Sequence, residues 1–216
     1  MPRQVDAGER RAGIAALVVD VIQREGAASA TVRRVSEAGG FSIGVITHYF
    51  SDKDELIAFA FDWLAEQSFA QLDRSLAAAE PGLPRLQAAL EFMVPLEQER
   101  SFPAVWLSLW SGAMHNPRLA AVHRRFYARW RRILARCLAE AARREEIMIR
   151  GNAADTIDLL AAGVDGLWLA VTFEGKRFSG ARRRRLVAQL MRALVSSAAS
   201  AAVPRARGRI PARKRR

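Results

Sequence analysis

The run from Thr31 to Phe50, TVRRVSEAGGFSIGVITHYF, constrains this chain more than any other stretch. Thr31 can cap a helix, because its hydroxyl accepts from an otherwise unpaired backbone N–H, and Val32, Val35 and Ala38 follow at helical spacing. Gly39-Gly40 ends that helix, since glycine reaches the left-handed backbone a sharp reversal needs. Ser42 can cap a second, short helix whose apolar side is Val45, Ile46, Tyr49 and Phe50. Ile43, Gly44, Thr47 and His48 are left on a small surface pointing elsewhere. Two helices joined by a glycine turn, the second short enough to lie across a groove, have the form of a DNA-reading helix-turn-helix. A packed module in which Tyr49 and Phe50 are only core is the competing reading.

The flanks read as helices too. Met1 to Gly8 reads as a loose arm, and Ile14, Leu17, Val18, Val21 and Ile22 mark an amphipathic helix from Glu9 to about Gly26. Ser51-Asp52-Lys53-Asp54 resembles a capping box with Ser51 at the cap and Asp54 three residues on, opening a helix to about Ala79. Further helices are expected from Pro84 to about Gln98, from Pro103 to near Asn116-Pro117, and from Pro117 to about Arg144, the last strongly basic. A loop at Arg150 to Asn152 leads to an apolar helix from Asp155 to about Phe173, and a final helix runs from about Ser179 to Ala199. The total is about nine helices in an all-α chain. The apolar run Ile157 to Phe173 is shorter than the roughly 20 residues of a typical membrane span and is broken by Asp165 and two glycines, which suggests a buried core helix.

The chain has 216 residues and a net charge of +12, which favours a polyanionic partner, either nucleic acid or an anionic membrane surface. Seven of those charges lie in Arg205, Arg207, Arg209, Arg213, Lys214, Arg215 and Arg216, leaving +5 elsewhere. Residues 201–216 therefore read as a basic, disordered tail able to add salt-sensitive DNA affinity. Arg182 to Arg185 read as the solvated face of the last helix. One cysteine, Cys137, excludes an internal disulfide and fits a reducing cytosol, and no secretory signal opens the chain.

The run G-F-S-x-G-x-I-x-H-Y-F-x-D-K-x-x-L, here Gly40 to Leu56, resembles the DNA-binding domain of the tetracycline-repressor (TetR) family over roughly residues 9 to 60. That resemblance implies a dimeric, all-helical, cytoplasmic repressor: a helix-turn-helix domain at 9–60, a ligand-binding and dimerisation domain at 61–200, and the tail. Position by position it implies phosphate contacts from Thr31, His48, Tyr49 and Lys53, and base reading by Arg33, Ser42, Ile43, Gly44, Val45 and Thr47. Arg33 can take guanine O6 and N7 together, and Val45 or the Thr47 methyl can meet a thymine methyl. The family often has lysine where this chain has Ile43, a departure that bears on any polar contact there. It also implies pairing of the last two helices (about 153–173 and 179–199) with a second copy. Independently, the first of them is apolar around more of its circumference than one intrachain face requires, and Gly163 and Gly166 would permit close approach. Burial within one chain is the alternative.

A second constellation is aromatic. Trp106 and Trp110 lie four apart on one helix, Met114 one turn further, and Trp168 follows Asp165 by three on another. Indole faces attract a cation through their quadrupole and a carboxylate adds Coulomb attraction, so the set reads either as a cation box or as core. Asp165 has the further alternative of pairing with an arginine. The order W-L-x-x-W-x-x-x-M-H-x-P, then D-G-L-W-L, is similar to the C-terminal domain of choline-responsive, BetI-like repressors. That resemblance implies choline or another quaternary ammonium as effector, with a polyamine or an unrelated hydrophobic ligand as the alternatives.

No enzyme is expected. His48, His115 and His123 lack metal-ligand spacing, no glycine-rich phosphate loop follows a strand, and no nucleophile stands beside a base; neither cofactor nor metal is implied. The remaining class, a basic structural or membrane-surface protein, leaves the helix-turn-helix unexplained.

Overall fold

The computed structural model describes residues 7–94 and 102–197. Among them the chain forms α1 (Ala7–Glu25), α2 (Val32–Gly39), α3 (Ile43–Tyr49), α4 (Lys53–Ala78), α5 (Leu83–Met93), α6 (Pro103–Ala113), α7 (Pro117–Arg143), α8 (Ala153–Glu174) and α9 (Gly180–Leu194). The expected all-α fold is present. Two short strands accompany it, β1 (Ile147–Ile149) and β2 (Val195–Ser197), paired antiparallel with Met148 opposite Ser196.

Those strands correct the reading of the last helix to Ala199. The chain leaves helical geometry at Val195, a β-branched residue in extended backbone, and takes ladder hydrogen bonds from β1 in place of another helical turn. The apolar run from Ile157 to Phe173 lies within α8. With the turn that follows it, Ala153–Arg177, that helix is long and apolar enough to cross a membrane by length and composition alone, and its Leu160, Ala161, Val164, Trp168 and Val171 are buried within the protein. The start of α4 shifts by one residue. Asp52, not Ser51, is the cap and accepts from Glu55 N–H, while the Glu55 carboxylate reaches back to the Ser51 N–H and hydroxyl. Glutamate, one methylene longer than Asp54, closes the box from a position one further on. The expected arm begins α1 two residues earlier, at Ala7; the stretch of the expected fifth helix beyond Val94, and the basic tail, lie outside the described residues.

The side chains gather into two hydrophobic cores. One joins α1 to α4, with Ile14, Val18, Ile22, Val35, Ile46, Phe50, Leu56 and Phe61, and takes in Val105 and Leu109 of α6 and Leu119 and Val122 of α7. The other lies among α4, α5, α7, α8 and α9, around Leu72, Leu90, Trp130, Leu134, Leu160, Val164 and Val187. Trp106 packs against both. The ends of α6 and α7 are thus built into the core of the N-terminal helices, so displacing either helix displaces that core, because close-packed interiors transmit strain.

At Gly163 a side chain of α9 packs close against the α8 backbone. A Cβ there would lie 2.7 Å from the Leu190 Cδ atoms, whereas Gly166 faces open space. Arg183 departs from the reading of a solvated basic face: it is buried, and its Nε donates to the Phe178 carbonyl, while Arg182 lies over the Phe178 ring. Arg184 and Arg185 are exposed.

Candidate functional site

The N-terminal surface is built by two caps and a glycine. Thr31 Oγ1 accepts from Arg34 N–H at 3.1 Å and starts α2. Gly40, at φ 64°, closes it in left-handed backbone and turns the chain toward α3, whose N-cap residue is Ser42. Ser42 makes no side-chain cap bond. In α3, Ile46 points inward with Phe50 beyond it, and Val45 and Tyr49 are half-buried. Ile43, Gly44, Thr47 and His48 are exposed, Ile43 by 51%. The Thr47 hydroxyl lies 3.3 Å from the Ile43 and Gly44 carbonyls, so its methyl is the freer group. His48 sits edge-on to Tyr49, Lys53 opens α4, and Arg33 extends from α2 with Nε donating to Glu37 at 3.0 Å. The ten sequence-selected residues therefore lie on α2, α3 and the start of α4, and the exposed ones form a small-residue surface flanked by cationic and hydroxyl groups.

The aromatic set is only partly assembled as the sequence suggests. Trp110 of α6 and Trp168 of α8 meet edge to face, centroids 5.3 Å apart. Trp106 instead packs on Phe126 of α7 at 4.9 Å, between the two cores, and Met114 at the end of α6 is 73% exposed. The direct side-chain partner of Asp165 among the described residues is a tyrosine rather than an arginine. The Tyr127 hydroxyl donates to its Oδ2 at 2.9 Å.

Sequence reasoning missed Tyr127, Phe126 and His123. They sit in a helix dominated by arginines, and the available signal was that His123 and Tyr127 are four apart on one face. Phe126 and Tyr127 rings are 5.5 Å apart, and His123 lies 4.5 Å from Tyr127. One turn of α8 thus carries two contacts: Trp168 meets the Trp110 indole of α6, and Asp165, three residues earlier, accepts from the Tyr127 hydroxyl of α7.

Burial raises the Asp165 carboxyl to about 6, and the Tyr127 hydrogen bond and the Arg131 charge oppose that rise. Burial and the neighbouring carboxylate push the Tyr127 phenol well above its ordinary range, so it remains a donor. His123 is lowered by burial and by Arg131 and Arg124. Arg131 is itself engaged, donating to Asp158 at 2.6 Å.

An open cleft of about 670 Å³ lies elsewhere, lined by Asp73 and Leu76 of α4, Arg85, and Cys137 and Glu140 of α7. Arg136 and Arg143 line it as well. Arg85 donates to Glu140 and to the Leu76 and Ala79 carbonyls, satisfying the open end of α4.

Known families match both parts of the chain. The family model "Bacterial regulatory proteins, tetR family" matches residues 14–59, and "BetI-type transcriptional repressor, C-terminal" matches residues 83–196. The chain belongs to the TetR family, with a BetI-type C-terminal region. It is a DNA-binding transcriptional regulator of that type. Among relatives of this TetR member, the regulator PksA of Bacillus subtilis is 30% identical over 88% of this chain and 91% of its own. The regulator BetI of Ectopseudomonas mendocina is 28% identical over 82% and 89%. A putative transcriptional regulator from Saccharomonospora viridis, solved in complex with choline, shares the fold with a TM-score of 0.76 at 20% identity, covering 87% of this chain and 98% of that one.

Proposed function

We propose that this TetR-family regulator is a dimeric repressor released from its operator by a small cation, choline or another quaternary ammonium. The ligand class is carried by two contacts made by one turn of α8, Trp168 against the Trp110 indole of α6 and Asp165, three residues before it, held by the Tyr127 hydroxyl of α7. An indole face and a carboxylate are complementary to a weakly hydrated cation. The choline complex of the Saccharomonospora relative adds support from the same fold.

The mechanism is a population shift. The DNA-competent dimer places two α3 helices in successive major grooves, about 34–36 Å apart. Thr31, His48, Tyr49 and Lys53 hold phosphates, and Arg33, Ser42, Ile43, Gly44, Val45 and Thr47 face the bases. The edge of one indole occupies the face of the other, which is the position a cation takes. Ligand entry therefore parts Trp110 from Trp168 and displaces α6. Leu109, beside Trp110, belongs to the core of the N-terminal helices, so the displacement reaches the reading head.

The test is a thermal-shift screen against choline, betaine, betaine aldehyde, spermidine and neutral compounds, with Trp110→Ala as control. A ligand bound only by the folded state raises the melting temperature by mass action. A choline-dependent rise lost in the variant is the expected result. A rise with spermidine alone moves the reading to polyamines.

A further inference from the structure

Tyr127 does something that neither tryptophan can. A buried carboxylate needs hydrogen-bond donors as well as a counter-charge, and leaving such an acceptor unpaired is costly. A quaternary ammonium brings the charge but has no N–H to donate. A primary ammonium brings three donors with the same charge. In this protein the Tyr127 hydroxyl already donates to Asp165 Oδ2 at 2.9 Å, from a helix other than the one carrying Asp165. The ring is fixed by His123 and Phe126 on either side, with Arg131 over it at 5.8 Å.

Resting on the cation-sensing reading above, we infer that Tyr127 is a specificity-determining residue that supplies Asp165 with the donor a quaternary ammonium lacks. With that bond in place, Asp165 accepts a donorless cation without being left unpaired. The site then favours methylated ammonium, whose methyl groups lie well against the indole faces. A primary amine, more strongly hydrated and able to bring its own N–H, gains little from Tyr127.

The difference between two ligands isolates this contribution, because a general loosening of the site weakens both. The probes are choline and ethanolamine, which share a carbon skeleton and differ by three N-methyl groups, titrated calorimetrically into the full chain and into Tyr127→Phe. Choline affinity is expected to fall by about ten- to a hundredfold in the variant, as for loss of a hydrogen bond to a buried charge. Ethanolamine affinity falls much less, so the choline preference collapses. An unchanged ratio of the two affinities overturns the role assigned to Tyr127.

The unsubstituted protein gives a second arm that does not depend on the variant folding. Affinity should rise through ethanolamine, its N-methyl and N,N-dimethyl forms, and choline; a flat or falling series overturns the inference as well. Failure of the parent reading is distinguishable, since in that case the unsubstituted protein binds neither probe.

Discussion

Arg118 Nη1 donates to Asp52 Oδ1 at 2.6 Å, joining the first turn of α7 to the cap of α4. Beside it, Asn116, which caps α7 by accepting from Arg118 and Leu119 N–H, donates to Asp54 Oδ2 at 2.9 Å. The caps of the two helices are therefore tied to each other. Further along, Arg125 pairs with Asp62 and Arg129 with Glu66 and Asp73, so α7 and α4 are held in register for much of their length. The bridging guanidinium holds the Asp52 carboxyl below its usual range. α7 also carries Tyr127, so one helix runs from the aromatic cluster to the residue that follows the reading head.

Exposed ion pairs add little to stability and are screened by salt. Their effect here is on where α4 sits. Arg118→Ala should fold and melt close to the unsubstituted protein, yet lose part of its response to ligand. Operator affinity measured by fluorescence anisotropy, with DNA selected from a random pool, should differ several-fold less between choline-free and choline-saturated protein. An unchanged ratio would show that coupling bypasses the clamp.

Much of the N-terminal surface was legible in the sequence because its determinants are local. Thr31 caps, Gly40 turns and Ile46 points inward on the strength of neighbours within a few residues. The aromatic cluster was half legible for the opposite reason. Spacing shows that Trp106 and Trp110 share a face, but Trp106 is claimed by Phe126 and Trp110 by Trp168, a choice set by how α7 and α8 cross α6. Tyr127 was hidden among arginines, and its bond to Asp165 spans 38 positions. The β1–β2 pair was invisible because three-residue strands have no periodicity to read.

Asp165 has an opposite effect on stability from most surface carboxylates. Its folded-state pKa is raised to about 6 from the ordinary 3.8, so the native state holds the proton more tightly than the unfolded chain. Stability therefore falls as pH rises from about 4 to about 6 and stays lowered above that. Asp165→Asn keeps an acceptor for Tyr127 without the charge. Its melting temperature should exceed that of the unsubstituted protein at pH 7, and the difference should close near pH 4, where both side chains are neutral. The same substitution should abolish cation binding, and binding by the unsubstituted protein should weaken as pH falls through about 6. Melting curves from pH 4 to 8 check the first statement and titrations over that range the second. A variant less stable at pH 7 would mean that the charge is compensated more fully than burial and Arg131 indicate.

The outer face of α8 carries the remaining prediction. Leu159 is 54% exposed and Phe173 is 71% exposed, with exposed Ala162 and Gly166 between them on the same side of the helix. Large exposed apolar side chains aligned along one helix mark an interaction surface. A second copy of the same face is the occupant we propose, through an isologous two-fold contact. The small residues at its middle would let the two helices approach, much as Gly163 admits Leu190 on the adjoining side. Because both side chains are already in solvent within one chain, replacing them with glutamate should leave the single-chain fold intact. Leu159→Glu with Phe173→Glu should therefore shift the mass seen by light scattering from twice the 23.9 kDa chain to one chain. Operator affinity should fall by at least about a hundredfold, since two linked reading heads gain roughly that much over one. A doubly substituted protein that remains dimeric would place the interface on another surface.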